Sequence, residues 1–474
     1  MALNNGFTFN GIRKDYMMTI SKRRTYWAPI SRQLLTVPGM AGAYLSETNT
    51  DVRVIEVNVE ISADSADELR KQSEDLAAWL YTKEPVELVF DDEVDRIYYA
   101  VVDGTFNPEE IVSHGYGTIT FICPDPYKYG AEKAVEFSNF GQFNVDGTID
   151  TEPIITCEIK ADTAFVAVSD GEKINLIGNP TEVTQQPYAR EERKFWHECN
   201  TLVGWAGTTS IEGGTNKGTL KAGSYYFWTD DYGLDSGWHG PAMKTSINTT
   251  LQDFQVDTLI TQNGSSGRVG SIEIDMLDVN NQIIAKIIMT KRAPGSQANW
   301  ARLRAGNDAG GVNILEYRGD ADWVWANFDG IMRIGRVGRS WYAYVATIRN
   351  GKHDNTLYKT WEDTQGLYTA KVSQIQVQLW QYGTVPATDQ RINDLKVYKI
   401  NSPVDNQIPY VARAGDVIEF DHINDIIRKN GEPILKEKAF VGEYFPLSAG
   451  SNNLLIEPSE SINSTEVRWR PKWR

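Results

Sequence analysis

The segment 224–240, SYYFWTDDYGLDSGWHG, brings together side chains that suit the recognition of sugars. Saccharides are bound by aromatic rings that lie flat against the apolar face of a sugar, while carboxylates and amides hydrogen-bond its hydroxyl groups. In an extended strand alternate side chains point to opposite faces, so about half of these rings are expected to lie in a core. We expect at least one ring to face a ligand. The candidate binding residues are Trp228, Asp230, Tyr232, Trp238 and His239.

A second aromatic pair, Trp323 and Trp325, stands in the sequence ADWVWANFDG. Residues two apart share one face of a strand, so the pair is either a platform for a sugar or a cover for one side of the core. Ten of the 14 tryptophans lie between Trp196 and Trp380. This density makes the middle of the chain the principal candidate for a carbohydrate site.

Motifs of known catalytic chemistry are absent from the sequence. There is no HExxH, no GxSxG and no P-loop, and the 5 histidines have no ligand-like spacing. Adjacent loop carboxylates such as Asp230 and Asp231 are usually solvated rather than catalytic. We therefore expect no catalytic residue and no metal ligand. The 3 cysteines have no close pair and are expected to be buried and unbridged: Cys123, Cys157 and Cys199.

The bulk composition argues against two classes of partner. The chain has 474 residues, 47 basic and 63 acidic side chains and a net charge of −16, which disfavours a grip on phosphate backbones. No run approaches the roughly 18 apolar residues of a membrane span, and the first residues have no apolar stretch of signal-peptide length. We expect a soluble chain made in a cytoplasm, with about three domains and neither nucleic acid nor membrane as a partner.

Short strands dominate the expected secondary structure. Residues 52–61, VRVIEVNVEI, alternate in strict period two, as a half-buried strand does. One helix follows, because Ser65 and Glu68 have the spacing of a capping box and leucines recur at helical intervals behind them. Residues 86–106 then predict two strands around an acidic turn. These elements form the first domain, residues 1–130.

The remaining chain is predicted to be one β-sandwich interrupted by a foreign module. Short strands and turn dipeptides occur in 131–189 and again in 401–474, and neither piece has enough strands to close a sandwich by itself. A polar stretch at 181–194 is the expected entry linker. We therefore assign 131–189 and 401–474 to one discontinuous domain, and 190–400 to an inserted module.

Several motifs resemble the distal tail proteins of long-tailed bacteriophages that infect Gram-positive bacteria. In the first domain they are FTFNGI, SKRRTYWAPI, the alternating strand before an ADELR-type helix, and ITFICPDPYKYG. In the split domain AGDVIEFD, the NGE turn and FVGEYFPLSAGSNNLLI resemble the galectin-like C-terminal domain of that family. The resemblance covers both ends of the chain.

The insertion resembles the carbohydrate-binding jelly rolls of the longer members of that family. DYGLDSGWHGPA, LQDFQVDTLI and VQLWQYGTVPATDQRINDLKVYKI carry the likeness. The resemblance implies an all-β chain with an N-terminal β-sandwich containing one helix and a galectin-like β-sandwich split by a jelly-roll module. Such jelly rolls often hold a structural calcium ion, for which Asp253 and Asp394 are candidate ligands, although we expect no cofactor.

The family resemblance implies a structural protein of the virion tail tip. The first domain would form a homohexameric ring between the tail tube protein and the hub or fibre protein, and the insertion would bind host cell-wall saccharide. The long loop Tyr16–Thr50 would supply the ring contact through Arg23, Arg24, Tyr26 and Trp27. A lid over its own sandwich is the alternative for this loop.

Two alternatives remain for the module. One is a cell-wall glycosidase or lyase on a lectin-like scaffold, and the other is a spacer that docks another baseplate protein. Turnover of host wall and glycan binding distinguish the three functions.

Overall fold

The computed structural model describes residues 6–106, 109–111, 114–181, 184–264, 266–319, 321 and 323–474. Strands dominate this part of the chain, as the sequence predicts, and it contains one α-helix. The strands of the first domain are β1 (Phe7–Phe9), β2 (Met17–Arg23), β3 (Ile30–Leu35), β4 (Tyr44–Thr50), β5 (Arg53–Ser62), β6 (Val86–Phe90), β7 (Tyr98–Asp103), β8 (Glu109–Ile111) and β9 (His114–Cys123).

The single helix, α1 (Ala66–Leu80), begins where the capping box predicts. The Ser65 hydroxyl accepts from the Glu68 amide at 3.2 Å, and the Glu68 carboxylate accepts from the Asp64 amide at 3.2 Å. The buried face of the helix includes Trp79, whose ring stacks on Phe7 with centroids 5.8 Å apart. The helix thus covers the core of a sheet ordered β1-β6-β7-β9-β5-β2, with β8 beside β9.

The expected loop Tyr16–Thr50 contains regular structure, so this prediction was wrong. It holds β2 and a separate hairpin of β3 and β4, which pair from Ile30↔Thr50 to Leu35↔Tyr44. Most hairpin side chains are exposed on both faces, including Leu34 and Leu45. A strand that buries neither face has no alternation of apolar and polar residues, and this removes the usual sequence signal.

The first part of the next domain, together with the entry to the insertion, contributes seven strands: β10 (Lys128–Tyr129), β11 (Lys133–Phe137), β12 (Phe140–Val145), β13 (Ile154–Ile159), β14 (Phe165–Ser169), β15 (Ile174–Gly178) and β16 (Gln186–Tyr188). The inserted module contains β17 (Glu191–His197), β18 (Ala206–Gly207), β19 (Thr215–Asn216), β20 (Thr219–Gly223), β21 (Tyr226–Asp231), β22 (Trp238–Gly240), β23 (Ala242–Leu251), β24 (Phe254–Asn263), β25 (Gly270–Leu277), β26 (Ile283–Lys291), β27 (Trp300–Ala305), β28 (Val312–Tyr317), β29 (Asn327–Val337), β30 (Ser340–Arg349), β31 (Lys352–Glu362), β32 (Val372–Tyr382) and β33 (Asp389–Ile400). The chain ends with β34 (Gln407–Pro409), β35 (Val417–Asp421), β36 (Ile426–Lys429), β37 (Glu432–Pro433), β38 (Gly450–Glu457), β39 (Ile462–Trp469) and β40 (Lys472–Trp473).

Strands from both sides of the insertion build one sandwich. One sheet is ordered β11-β39-β13-β35-β36-β37 and the other β12-β38-β14-β15. Because β13 lies between β39 and β35, the early strands depend on late ones for their hydrogen bonds. Ile155, Val166, Phe420 and Ile456 meet in the common core.

The insertion is a sandwich of two large sheets. An eight-stranded sheet runs β20-β21-β33-β24-β29-β30-β31, with β17 also on β33. A nine-stranded sheet runs β18-β23-β32-β25-β26-β27-β28, with β22 beside β32 and β19 beside β22. Phe227, Val256, Ile274 and Leu379 are among the apolar side chains packed between the sheets.

The two ends of the insertion lie side by side. Strands β17 and β33 pair from Glu191↔Ile400, and the Asn401 amide donates to the Arg190 carbonyl at 2.7 Å. The described residues of the predicted linker 181–194 include β16 and the start of β17. The proposed boundaries at 189/190 and 400/401 fall at this junction and stay a prediction.

Ion pairs join the module to the split sandwich. The Arg333 guanidinium donates to Asp257 at 2.8 Å within the module and to Glu432 at 2.7 Å across the junction. Lys352 pairs with Glu419 at 2.7 Å. These contacts hold the outer face of the eight-stranded sheet against the β35–β37 hairpins.

Replacing residues 190–400 with a short Gly/Ser linker is expected to leave a folded two-domain protein. The insertion has adjacent ends and its own core, so the host sandwich closes without it. Glu432 loses its partner Arg333 but becomes solvated, and Glu419 keeps its ion pair with Arg428 at 2.6 Å. Circular dichroism and a cooperative thermal melt check this, and loss of the melt would show that the boundaries are misplaced.

Candidate functional site: a groove on the nine-stranded sheet

Polar residues alternate with core residues along the nine-stranded sheet. On β25, Ile272 and Ile274 are buried in the module core, so Ser271, Glu273 and Asp275 point to the opposite face. Strand β32 repeats the pattern with glutamines and aromatic residues between its core positions. The outward face of this sheet is therefore charged and aromatic.

A groove of about 490 Å³ lies on that face. This volume falls within the range of small-molecule sites, roughly 300–1,000 Å³. Its lining consists of Gly213, Trp238, Ser271, Glu273, Thr290, Arg292, Arg302, Asp308, Glu316, Trp380 and Tyr382.

The segment that connects β18 to β19 covers part of the same face. The Thr208 hydroxyl donates to the Gln376 side chain at 2.6 Å, and Gln376 donates to the Ser210 carbonyl at 2.8 Å. A Cβ at Gly214 would lie 3.0 Å from the Trp238 carbonyl oxygen and 3.1 Å from the Trp380 ring. Glycine at 214 thus allows the segment to approach the aromatic side of the groove.

Aromatic rings form one side of the groove. Trp238 on β22 and Tyr382 on β32 are register partners, and their ring centroids lie 5.3 Å apart in an edge-to-face arrangement. Trp380 is buried beside them. The partly exposed Trp238 and Tyr382 rings are the ones that a sugar can contact.

Lys286 is a buried cation beneath the floor of the groove, where it contacts the lining residues Glu273 and Asp308, and its side chain is 1% exposed. Its ammonium nitrogen lies 3.1 Å from Asp308, 3.3 Å from Glu273 and 3.7 Å from Glu212. Burial alone would lower the pKa of Lys286, but the carboxylates of Asp275, Glu273 and Asp308 raise it above the ordinary lysine value.

The floor carboxyl groups have raised pKa values. Burial raises the pKa of Asp275 to about 7, against the attraction of Lys286. Burial raises the pKa of Glu273 in the same way, and Lys286 again opposes the shift. Asp275 accepts hydrogen bonds from Gln376 at 2.9 Å and from Gln378.

Of the predicted residues in segment 224–240, only Trp238 lines the groove. His239 is buried, and its Nδ1 donates to the Gly237 carbonyl at 2.9 Å. Tyr232 packs against the module core, where burial raises its pKa. Tyr232, Trp238 and His239 are close in sequence, but their side chains point in different directions, and of the three only Trp238 reaches the groove.

Trp228 and Asp230 lie on the other sheet. Phe227 is buried in the core, so Trp228 on β21 points away from it. The Lys221 ammonium lies 5.0 Å from the Trp228 ring centroid and 2.7 Å from Asp230. The Lys221 cation therefore already contacts the Trp228 ring. The module core separates the Trp228 ring from the groove.

Trp323 and Trp325 do not share a strand face, so that expectation was wrong. They lie in a turn between β28 and β29, where Trp323 is 71% exposed and Trp325 is 1% exposed. A turn does not follow the period-two alternation on which the prediction depended. The Trp325 ring packs edge-on against Tyr317 and Phe328, with centroids 6.1 and 6.0 Å away.

Sequence reasoning missed most of the groove. Its omitted members include Glu273, Arg302, Glu316, Trp380 and Tyr382. The available signal was the alternation in SIEIDML and QIQVQLWQY, where polar or aromatic residues separate core positions.

The candidate calcium ligands lie apart. In the pairing of β24 with β33, Phe254 is opposite Lys399 and Leu259 is opposite Asp394, so Asp253 and Asp394 lie at different levels of the sheet. Asp394 accepts from the Trp196 indole at 2.8 Å, while Asp253 accepts from the Gly338 amide at 2.8 Å. Within the described ranges, no group of three or more His, Cys, Asp or Glu residues is arranged to hold a metal ion.

In the part of the chain that the structure describes, no helix has the length and apolarity needed to cross a bilayer.

Two family models match this chain. The phage tail protein RIFT-related domain matches residues 14–123, and the siphovirus-type tail component, C-terminal domain, matches residues 378–473. The second match begins within β32 of the module. The chain is also 26% identical over 145 residues to the distal tail protein of Bacillus phage SPP1, covering 30% of this chain and 57% of that relative.

Solved structures with a related course of the chain include tail and carbohydrate-active proteins. The SPP1 distal tail protein has a TM-score of 0.34 and 23% identity, covering 37% of this chain and 74% of that chain. The CBM2 module of Lactobacillus casei BL23 phage J-1 evolved Dit has a TM-score of 0.40 and 12% identity, covering 45% and 98%. The endo-β-1,3(4)-glucanase SCLam has a TM-score of 0.31 and 11% identity, covering 46% and 95%.

The first domain and the C-terminal segment each match a domain of siphophage tail components. Both ends of the chain are thus similar to the distal tail proteins of siphophages, and a jelly-roll module is inserted between them. The family resemblance seen in the sequence is thereby confirmed. The chain spans about 57% of the length of the curated relative that it matches.

Proposed function

We propose that the first domain forms a homohexameric ring between the tail tube and the hub or fibre protein, and that the inserted module binds host cell-wall saccharide. The observation that carries the second part is the groove, where Trp238 and Tyr382 stand beside a set of charged side chains. Aromatic rings next to fixed hydrogen-bonding groups suit the two faces of a sugar. Six linked sites would raise avidity by roughly 10² to 10⁴ over a single weak site.

Trp238→Ala in the full-length chain is expected to weaken binding to purified host wall polysaccharide about tenfold or more, because a ring buried against a ligand contributes roughly 1.5–3 kcal/mol. Trp228→Ala and Trp323→Ala are matched controls, since they remove the same side chain outside the groove. Isothermal titration and a thermal melt of each variant separate binding from folding. Equal binding by all three variants would place the saccharide elsewhere or show that none is bound.

The exposed surface of the first domain supports the ring. Tyr26 is 89% exposed, and Trp27, Leu34 and Leu45 are also exposed. Leu34 and Leu45 are register partners in the hairpin, and large apolar side chains exposed together favour a partner site. The hairpin pairs only with itself among the described strands, which favours an inter-subunit contact over a lid on its own sandwich.

The two candidate arginines differ in their availability to a neighbouring subunit. Arg24 is held within its own chain by Asp92 at 2.7 Å and by Glu93 at 3.2 Å. Arg23 has an 87% exposed side chain and only a long 3.6 Å contact with Glu56. Of the two, Arg23 is better placed to reach a second subunit.

Excising residues 30–50 is expected to abolish ring formation with the tail tube protein. The Asp51 amide donates to the Pro29 carbonyl at 3.0 Å, so the cut ends are already adjacent and the sheet should stay folded. Light scattering of the co-expressed proteins measures assembly. A variant that keeps the backbone, with Tyr26→Ser, Leu34→Ser and Leu45→Ser, tests the apolar contact itself, and a full ring from either variant would contradict this role.

A cell-wall hydrolase is the second candidate, because the carboxyl groups of Glu273 and Asp275 share one face of β25 and have raised pKa values. Glycosidases need two carboxyl groups that flank the scissile bond. Here Lys286 neutralises Glu273, and Asp275 is fully buried. The two carboxyl groups are therefore better suited to stabilising the structure of the groove than to catalysis. We therefore propose a non-catalytic module. Release of reducing ends from host wall would favour the hydrolase, and no glycan binding at all would favour a docking spacer.

A further inference from the structure

The carboxylates that line the groove already have cationic partners. Glu316 accepts from Arg292 at 2.6 Å on one oxygen and from the Asn313 amide at 2.6 Å on the other. Asp308 is shared between Lys286 at 3.1 Å and Arg304 at 3.3 Å. Together with the Lys286–Glu273 pair, these contacts neutralise the acidic side of the groove.

Arg302 is a cation of the groove lining that forms no ion pair with these carboxylates. It lies on β27 opposite Glu316 in the register, but both oxygens of Glu316 are engaged elsewhere. Its Nε is buried without a hydrogen-bond acceptor, and among the described residues its guanidinium acts on Glu273 and Glu316 through charge, without an ion pair within 4.0 Å. A buried donor without an acceptor is unfavourable, so this guanidinium can gain hydrogen bonds from a ligand.

We infer that the groove takes an anionic saccharide and that Arg302 binds its oxyanion. The inference rests on the proposed saccharide-binding function. A guanidinium is planar and donates two parallel hydrogen bonds to a carboxylate or a phosphate, which makes such pairs stronger and more directional than bonds to neutral hydroxyls. The oxyanion is either the carboxylate of a uronic acid or the phosphodiester of a sugar- or polyol-phosphate polymer, while Trp238 and Tyr382 contact the adjoining ring.

The test uses the full-length chain and wall polysaccharide from a strain to which the unmodified protein binds. One portion of the polymer is treated with carbodiimide and borohydride, which reduces carboxylates to alcohols. A second portion is treated with aqueous hydrofluoric acid, which cleaves phosphodiesters. One treatment is expected to weaken binding about tenfold or more, and it identifies the source of the oxyanion.

Arg302→Gln is expected to weaken binding to the untreated polymer about tenfold or more and to cause no further loss on the treated polymer, since the two changes remove the same interaction. Arg302→Lys keeps the charge but not the paired geometry and should give an intermediate loss. Arg349→Gln removes a positive charge from the other sheet, where the side chain is 64% exposed, and should bind normally.

Three results would contradict the role of Arg302 or the saccharide site. Unchanged binding after both treatments, or full binding by Arg302→Gln, would overturn it, and a continued loss with Trp238→Ala would then leave the saccharide site itself intact. Absence of binding to every polymer by the unmodified chain would overturn the proposed saccharide function, and the inference with it.

Discussion

Lys286→Met is expected to destabilise the module by about 3–5 kcal/mol, the usual effect of removing one partner from a buried ion pair. The ammonium group is 1% exposed and neutralises Glu273 and Asp308 at 3.3 and 3.1 Å. Methionine fills a similar volume, so the loss reports uncompensated carboxylates rather than a cavity. Urea unfolding followed by tryptophan fluorescence measures the change in the free energy of unfolding.

The effect of Lys286→Met should also depend on pH. Lys286 favours the ionised form of Asp275, so its removal raises the pKa of Asp275 further above about 7. Below that pKa the carboxyl group is neutral and needs no cation, so the variant should be less destabilised at pH 5 than at pH 8. Asp275 itself makes the free energy of unfolding fall as pH rises from 3.8 to about 7, because the folded state then holds the proton more tightly than the unfolded state.

Lys221→Met is the matched control for this prediction. Lys221 pairs with Asp230 at 2.7 Å, but its side chain is 41% exposed, and exposed ion pairs contribute little. The control should unfold nearly as the unmodified chain does at both pH values. If Lys286→Met were equally stable, the floor carboxyl groups would be protonated or hydrated, contrary to the ion pairs described above.

Trp325→Ala is expected to lower the free energy of unfolding of the module by about 3–5 kcal/mol, as for other buried aromatic truncations. The ring packs against Tyr317 and Phe328, and its backbone carbonyl accepts from the Asn299 side chain at 2.7 Å. Alanine therefore leaves a cavity beside an otherwise satisfied turn. Thermal and urea melts of the full-length chain measure the loss.

Trp323→Ala is the control for this second prediction, because it removes the same ring two residues away. That side chain is 71% exposed, so its truncation should change the free energy of unfolding by no more than about 0.5 kcal/mol. A large loss of stability at Trp323 together with none at Trp325 would contradict the turn that the structure shows. If both variants lost a similarly small free energy of unfolding, the residues around position 325 would have moved to fill the space left by the ring.

Local patterns predicted the helix and several strands. The alternation in 52–61 gives β5, and the capping box at Ser65 and Glu68 gives α1. The turn dipeptides at 415–416 and 430–431 precede β35 and separate β36 from β37. These signals are local, because capping and period-two burial act within a few residues. The hairpin of β3 and β4 was missed for the same reason, since neither of its faces is buried and no pattern results.

The sequence by itself determined the all-β class, the single helix, the family at both ends of the chain and the aromatic richness of the insertion. Only the tertiary structure decided which aromatic rings line the groove. Trp238 faces the groove because β22 pairs with β32, which places Tyr382 beside it, whereas Trp228 on the neighbouring β21 belongs to the other sheet. Glu273 and Arg302 come together only through the register of β25, β26 and β27. Pairing between strands far apart in sequence is set by the packing of the whole core, and no local pattern records it.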